Sequence, residues 1–408
     1  MPSYFYIAKS LKGEERSGTM EAKSKLQLAQ ALKSQGFILI TAELELEKEK
    51  VARKKMEFSL PFFSGVSLTE KLMFTRNLQV MVSAGLSLPK ALMTLAEQTK
   101  SQKFKKTLLE ISEEITKGKN LSDCLSKYPN IFSDFFQNMV KVAEEAGNLD
   151  EVLKILSKQM ERENELRAKI KGALMYPAVI IIAMIGIGAL MLIMVVPQLA
   201  ETFEELEIEL PFTTQLVIGI GTFLAEKWFF ALLILIVIFI ALTFISKTKK
   251  GKKLIDTVFL KIPVISQLVK KTNAAYTVRT LSSLIAAGVP IVKSLKIVSG
   301  TLGNIHYQEA ISEVSEKVGK GAKLSEAIRS YRNIYPVTVI QMIQVGEETG
   351  ETSQILSKLA DFFEEEVGNA TKNLASVIEP ILMLIIGGVI GFFAVSMVQP
   401  MYSMLGAI

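Results

Sequence analysis

Three stretches of this chain contain no charged residue: Gly172–Ala200, Trp228–Ser246 and Pro380–Ile408. A helix needs about 20 mostly apolar residues to cross a bilayer. Core helices of soluble domains rarely run so far without a charge, so each stretch predicts a membrane span. The spans are placed at 172–200, 228–246 and 377–400, with 401–408 as an external tail.

Charge sets the expected direction of each crossing. Lys158, Arg162, Arg167, Lys169 and Lys171 precede the first span, and Glu201, Glu204, Glu205, Glu207 and Glu209 follow it. Lys247, Lys249, Lys250, Lys252 and Lys253 follow the second. Basic loops stay on the cytoplasmic side. The net charge of +6 thus reads as topology: N-terminus cytoplasmic, 201–227 an external acidic segment, 247–376 cytoplasmic again, and the C-terminus outside. The start, MPSYFYIAKSLKGEE, has neither the basic nor the apolar region of a signal peptide, so none is expected. A single cysteine, Cys124, leaves no internal disulfide to form.

Between the spans the chain repeats itself. VSAGLSLPKAL at 82–92 returns as IAAGVPIVKSL at 285–295, placing Gly85 and Gly288 203 residues apart. The same offset joins Arg76 to Arg279, Lys117-Gly118 to Lys320-Gly321, and VAEEAGN (142–148) to VGEETGE (345–351). It also joins Tyr176-Pro177 to Glu379-Pro380 and Gly188 to Gly391, while ILSK at 155–158 meets ILSK at 355–358 only with a three-residue slip. Two copies are too few for a solenoid, so the pattern predicts a pseudo-symmetric pair. Each copy ends in one span, and the unpaired span at 228–246 carries the chain back so that both copies face the same side.

Each copy reads as helical. Ser67 and Glu70 form a capping box, Gly85 breaks the first apolar stripe, and Pro89 sits early in the next helix. Short loops then give about six helices per copy, an up-down bundle at 67–171 and another at 247–376. Residues 1–45 form a small α/β leader domain: a strand at YFYIA, a turn over LKGEERSG, a helix within EAKSKLQLAQALKSQG and a strand at FILITAEL. The charged stretch near 46–66 reads as a linker. The fold class is an all-α membrane protein with two repeated bundles, three spans and this leader.

The chain offers little for catalysis. A phosphate-binding loop would need glycine at 113 or 246, where Glu113 and Ser246 stand. His306 is the only histidine, so neither a histidine metal cluster nor a Ser–His–Asp arrangement can form; it is expected on a surface loop. KTKKGKK beside the second span reads as a topology anchor touching lipid headgroups rather than nucleic acid. The span interiors lack Asp, Glu, Lys and Arg, which weakens the competing reading of a membrane transporter. Tyr176 beside Pro177 and Glu379 beside Pro380 mark the membrane entries of the first and third spans. Gly387-x-x-x-Gly391 is a small-xxx-small pattern, and its match to Gly188 predicts that the two repeat-end spans pack on each other.

VAEEAGNLDEVL, VGEETGE, MYPAVI, IEPILM, VVPQL with the following ELPFTTQLV, and the N-terminal YFYIAKSLKGEERSGTMEA together resemble the inner-membrane platform proteins of type IV pilus and type II secretion machines. The resemblance covers the whole chain. It implies a non-enzymatic protein of the cytoplasmic membrane that binds a hexameric cytoplasmic assembly ATPase and feeds pilin or pseudopilin subunits into a filament. Other inner-membrane assembly proteins, and a homodimer or higher homo-oligomer, are the further partners implied; nucleic acid is not among them. The family motif G-E-x-S/T-G is intact at Gly346, Glu347, Glu348, Thr349 and Gly350, whereas Glu144, Glu145 and Gly147 keep it in the first copy with Ala143 and Ala146 substituted. These glutamates are expected either to organise an ATPase-facing surface or to serve as a structural motif that holds their own bundles together. Some members hold a structural calcium ion; the matching positions are Glu97, Asp150 and Lys154, and an ammonium cannot ligate a cation that wants oxygen.

Overall fold

The structure, a computed structural model, describes residues 3–10, 15–22, 24–44, 65–205 and 210–405. The expected linker at 46–66 lies almost wholly outside them. The chain divides into two units, Met1–Gly65 and Val66–Ile408.

In the first unit, β1 (Ser3–Ser10), β2 (Glu15–Glu21), α1 (Lys25–Ser34) and β3 (Phe37–Leu44) form a three-stranded antiparallel sheet, ordered β2-β1-β3, with one helix. Tyr4, Tyr6 and Ala8 alternate along β1 and are buried with Leu28 and Leu32, one turn apart on α1. Ser24 caps α1 by accepting from the Gln27 N–H at 3.3 Å, and Gly36 ends it with φ +82°. The turn expected over LKGEERSG is corrected: Glu15–Gly18 belong to β2. An edge strand is held by backbone bonds to β1, so its polar side chains gave no alternation to read.

The second unit is helical throughout its described residues. The first repeat comprises α2 (Leu68–Ser83), α3 (Leu88–Gln98), α4 (Gln102–Thr116), α5 (Leu121–Ser126), α6 (Asp134–Ala146) and α7 (Leu149–Leu190). A π-helical turn at Met191–Val195 joins α7 to α8 (Val196–Glu205). Then come α9 (Phe212–Glu226), α10 (Trp228–Lys247) and α11 (Lys249–Lys261). The second repeat follows as α12 (Pro263–Ala286), α13 (Ile291–Thr301), α14 (Ile305–Gly319), α15 (Leu324–Arg329), α16 (Val337–Thr349) and α17 (Thr352–Leu405).

Helices α3 to α6 and α13 to α16 start and stop 203 residues apart, as do the ends of α2 and α12 and the starts of α7 and α17. Nothing between Gly147 and Leu149, or Gly350 and Thr352, absorbs three residues, and Pro177 and Pro380 keep the offset inside the helices. The ILSK match with its slip is therefore fortuitous. The capping box at α2 is present: Ser67 Oγ accepts from the Glu70 N–H at 3.1 Å, and Glu70 accepts from the Ser67 N–H at 3.3 Å.

The bundles expected at 67–171 and 247–376 are not independent. One hydrophobic core runs from Phe74 to Met160 in the first repeat and from Ala274 to Phe363 in the second. A shared core puts both repeats on the same side of the membrane and requires an even number of crossings between them. The repeats fill equivalent space differently. Phe74, Phe104 and Phe132 form an aromatic triangle with centroids 5.3–6.2 Å apart. At the corresponding positions Thr277, Tyr307 and Tyr335 form a polar one: Tyr335 shares a 2.9 Å hydrogen bond with Thr277, and Tyr307 donates to the Ile334 carbonyl at 2.6 Å. A buried hydroxyl left unpaired costs about 1–3 kcal/mol, so Thr277 and Tyr335 depend on each other, while Tyr307 depends on the Ile334 carbonyl.

Among the described residues, three helical runs are long and apolar enough to cross a membrane: Leu149–Glu205, Trp228–Lys247 and Thr352–Pro400. The spans expected at 172–200 and 377–400 are sections of two rods that begin inside the bundles. The expected external acidic segment 201–227 is corrected: 201–205 continues the first rod, and 212–226 is the apolar helix α9. At 15 residues α9 is short for a crossing. It instead packs on the π turn, α8 and α17, burying Val217 with Val196 and Met397. The expected tail 401–408 is helical through Leu405.

Candidate functional site

The G-E motifs lie at the C-terminal ends of α6 and α16. Gly147 and Gly350 end these helices with φ +72° and +74°, a conformation that costs other L-residues roughly 1–2 kcal/mol. Upstream, the two glutamates part. Glu144 turns inward and accepts from the Leu121 and Ser122 N–H groups at 2.5 and 3.0 Å. Glu347 does the same with Leu324 and Ser325 at 2.6 and 3.1 Å. Their targets are the first turns of α5 and α15, whose own N-cap residues, Asn120 and Lys323, make no side-chain cap bond. A carboxylate there satisfies orphan N–H groups and meets the positive helix end. The inner glutamate is thus a remote cap, while Glu145 and Glu348 remain exposed. Gly346 is small for a local reason: a Cβ there would stand 3.1 Å from Thr352 Cα.

Gly85 and Gly288 turn α2 into α3 and α12 into α13 with φ +80° and +81°. Arg76 and Arg279, just upstream, have unequal surroundings. Arg279 binds Glu364 at 2.7 Å and Asp361 at 2.5 Å with only 11% of its side chain exposed, whereas Arg76 is exposed.

Where the repeats meet, a cleft of about 560 Å³ is lined by α2, α6 and α7 of the first and α12 and α13 of the second. Glu163 pairs with Arg167 at 2.6 Å, Tyr276 lines the same cleft, and Ser283 donates to Gln159 at 3.1 Å. Burial lowers the Lys71 ammonium below its ordinary value, with Glu163 opposing the shift and Arg167 adding to it. Burial raises the Tyr276 phenol, and Glu163 raises it further. The sequence had marked none of these residues as a set; only the offset, applied to α7 and α12 together, could have pointed to the seam.

On the rods, Pro177 is buried within α7, whereas Tyr176, Glu379 and Pro380 are exposed. The expected packing of Gly188 against Gly391 is not found. A Cβ on Gly188, Gly387 or Gly391 would meet nothing within 4 Å. Helix α9 explains this, because it bridges the two rods near their far ends. Thr214 donates to the Ser396 carbonyl at 2.5 Å, and Gly221 lies so close to the π turn that a Cβ would stand 2.7 Å from the Leu192 oxygen.

Glu97, Asp150 and Lys154 are each exposed, and among the described residues no three of His, Cys, Asp and Glu gather as a metal site. The residues present do not fit a calcium ion. His306 is not on a loop: it lies in the first turn of α14, its Nε2 2.8 Å from the Thr257 hydroxyl.

Comparison with known proteins agrees with this architecture. The family model for type II secretion system protein F matches residues 74–197 and again 277–400, and the model for that family's N-terminal domain matches residues 1–43. The two central matches are themselves offset by 203 at both ends. The type IV pilus assembly protein PilC of Myxococcus xanthus is 33% identical over 99% of this chain and 95% of its own. PilC of Pseudomonas aeruginosa is 36% identical over 81% of this chain and 89% of its own. The type II secretion system protein F of Aeromonas hydrophila is 31% identical over 93% and 97%.

Proposed function

The chain belongs to the type II secretion system protein F family, and from that premise we propose that it is the inner-membrane platform of a type IV pilus or type II secretion machine. On this reading its N-terminus is cytoplasmic and it forms a homodimer or larger assembly beside other inner-membrane assembly proteins. A hexameric cytoplasmic ATPase does work on it, and it passes pilin or pseudopilin subunits into a filament.

One observation carries the proposal. Two repeats share one core, and each continues without a break into an apolar rod, so a displacement of the bundles is a displacement of the membrane segments. With Glu113 and Ser246 where a phosphate loop needs glycine, the work must come from a partner. Glu145 and Glu348 are the exposed motif carboxylates that could meet it, Glu348 while accepting from Gln344 at 2.8 Å.

The test pairs two variants at matched membrane levels. Glu145→Lys with Glu348→Lys is expected to abolish ATPase co-purification and filament assembly or secretion without lowering thermal stability. Glu347→Ala is expected to lose roughly 0.5–2 kcal/mol through its cap. Normal co-purification and assembly by the double reversal sinks the docking role of these ends. Normal assembly and secretion in a strain lacking the chain sinks the platform reading itself.

A further inference from the structure

Inside the chain α7 packs along its counterpart α17, and beyond that contact the first repeat sits on the second in one direction only. Helix α7 lies on α12 and α6 on α13, yet no comparable packing of α17 on α2 or α16 on α3 occurs. The covered face of α12 carries Tyr276, Thr280 and Ser283, spaced i, i+4 and i+7. Its cover supplies Gln159, bonded to Ser283, and Arg167, which lines the same cleft as Tyr276, while Asp134 of α6 stands beside Gly300. Each repeat therefore owns two surfaces, a face and a cover, and one of each is used.

The unused pair is found by shifting 203 residues. The free face is Met73, Asn77 and Val80 on α2, with Met73 53% and Val80 57% exposed; a groove of about 290 Å³ beside it is lined by Met73, Asn77, Leu95 and Gln98 among others. The free cover carries Phe362 where α7 has Gln159, and Val337 where α6 has Asp134, 49% and 59% exposed. The chemistry has changed on both sides together. The used contact of Ser283 with Gln159 is polar on polar, whereas its unused counterpart, Val80 opposite Phe362, is apolar on apolar; Met73, the counterpart of Tyr276, stands opposite Ala370, the counterpart of Arg167. Exposed apolar groups set at matching positions on two complementary surfaces point to burial against each other.

We infer that the α2 face of one copy is covered by the α16–α17 face of a second copy, repeating between chains the packing of α6 and α7 on α12 and α13 within one. Such a contact joins unlike surfaces, so it closes as a ring of two or more chains or extends as an open row. Because both repeats continue into the same membrane, the operator relating them has its axis along the membrane normal, and the row stays in the membrane plane. The inference deepens the oligomeric platform proposed above and rests on it.

The experiment uses the full chain in native membranes with Cys124, which is buried, replaced by alanine, the residue its counterpart Ala327 already is. One tagged chain carries Val80→Cys and a differently tagged chain carries Phe362→Cys. A disulfide requires Cα atoms about 4.4–6.8 Å apart, and the counterpart pair Ser283 and Gln159 is in hydrogen-bond contact. Mild oxidation is expected to link the two tags when the chains are co-expressed and to leave each chain unlinked when expressed alone. Leu109→Cys, on α4, is expected to link to neither. Val80 linked to Val80 would reveal an isologous interface and overturn the inference, as would no link in the mixture. A long lysine-reactive cross-linker on the same membranes separates the failures. Oligomers without the 80–362 link refute this surface alone, and no oligomer at all refutes the oligomeric platform as well.

Discussion

Arg76 and Arg279 occupy the same place in two copies of one helix, yet only Arg279 is locked. Its partners Ser357, Asp361 and Glu364 correspond to Lys154, Lys158 and Glu161 in the first repeat, so the shifted site repels a guanidinium as much as it attracts one. Removing Arg279 leaves Glu364, itself only 14% exposed, without a counter-charge. Arg279→Ala is expected to approach the roughly 3–5 kcal/mol of a broken buried pair, whereas Arg76→Ala should stay within about 0.5 kcal/mol. Thermal unfolding of the full chain in detergent compares them, and equal losses would contradict the asymmetry. The arginine match was legible in the sequence because identity at a fixed offset is a one-dimensional property. The ion pairs were not, since they join α12 to α17 across 82–85 residues. The motif glutamates show the same limit: their repetition was visible, but the 22–23 residue reach to the next helix N-terminus depends on how α5 folds back.

Among the elements, those bounded by local chemistry were readable. Gly85, Gly118 and Gly147, with their counterparts Gly288, Gly321 and Gly350, all have positive φ and all punctuate helices, as expected of turns that other residues strain to make. Helix α9 was missed because flanking glutamates made the region look acidic and 15 residues fall below a spanning length. Its packing depends on Gly221, where a Cβ would meet the Leu192 carbonyl at 2.7 Å and Val196 Cγ1 at 2.9 Å. Gly221→Ala is expected to lift α9 off the π turn. A cysteine at Thr214, a position buried at the α9–α17 contact, should react slowly with a small thiol reagent in the parent and several-fold faster beside Gly221→Ala. Equal rates would show that α9 accommodates the methyl without moving.

For the molecule as a whole, the apolar runs and the offset established the plan: two helical repeats, three spans and a small α/β leader. What they could not convey is that the repeats share a core, because that depends on which polar faces of α7 and α12 meet. The shared core demands an even number of crossings between the repeats, and the charge bias then selects which side they occupy. A cysteine at Glu205 is therefore expected to react with an impermeant reagent from outside intact cells, and one at Lys249 only after permeabilisation. The reverse pattern would invert the topology and remove the repeats from reach of any cytoplasmic ATPase.

The π turn at Met191–Val195 has a mechanical consequence. At about 1.5 Å per residue the rods that start at Leu149 and Thr352 are roughly 80 Å long, each with a proline at the same station, Pro177 and Pro380. Among the described residues only the first also carries a π turn, where the helical bond pattern loosens. Equal torques on the two bundles would then emerge as unequal strokes, the first rod giving way at the turn that α9 clasps.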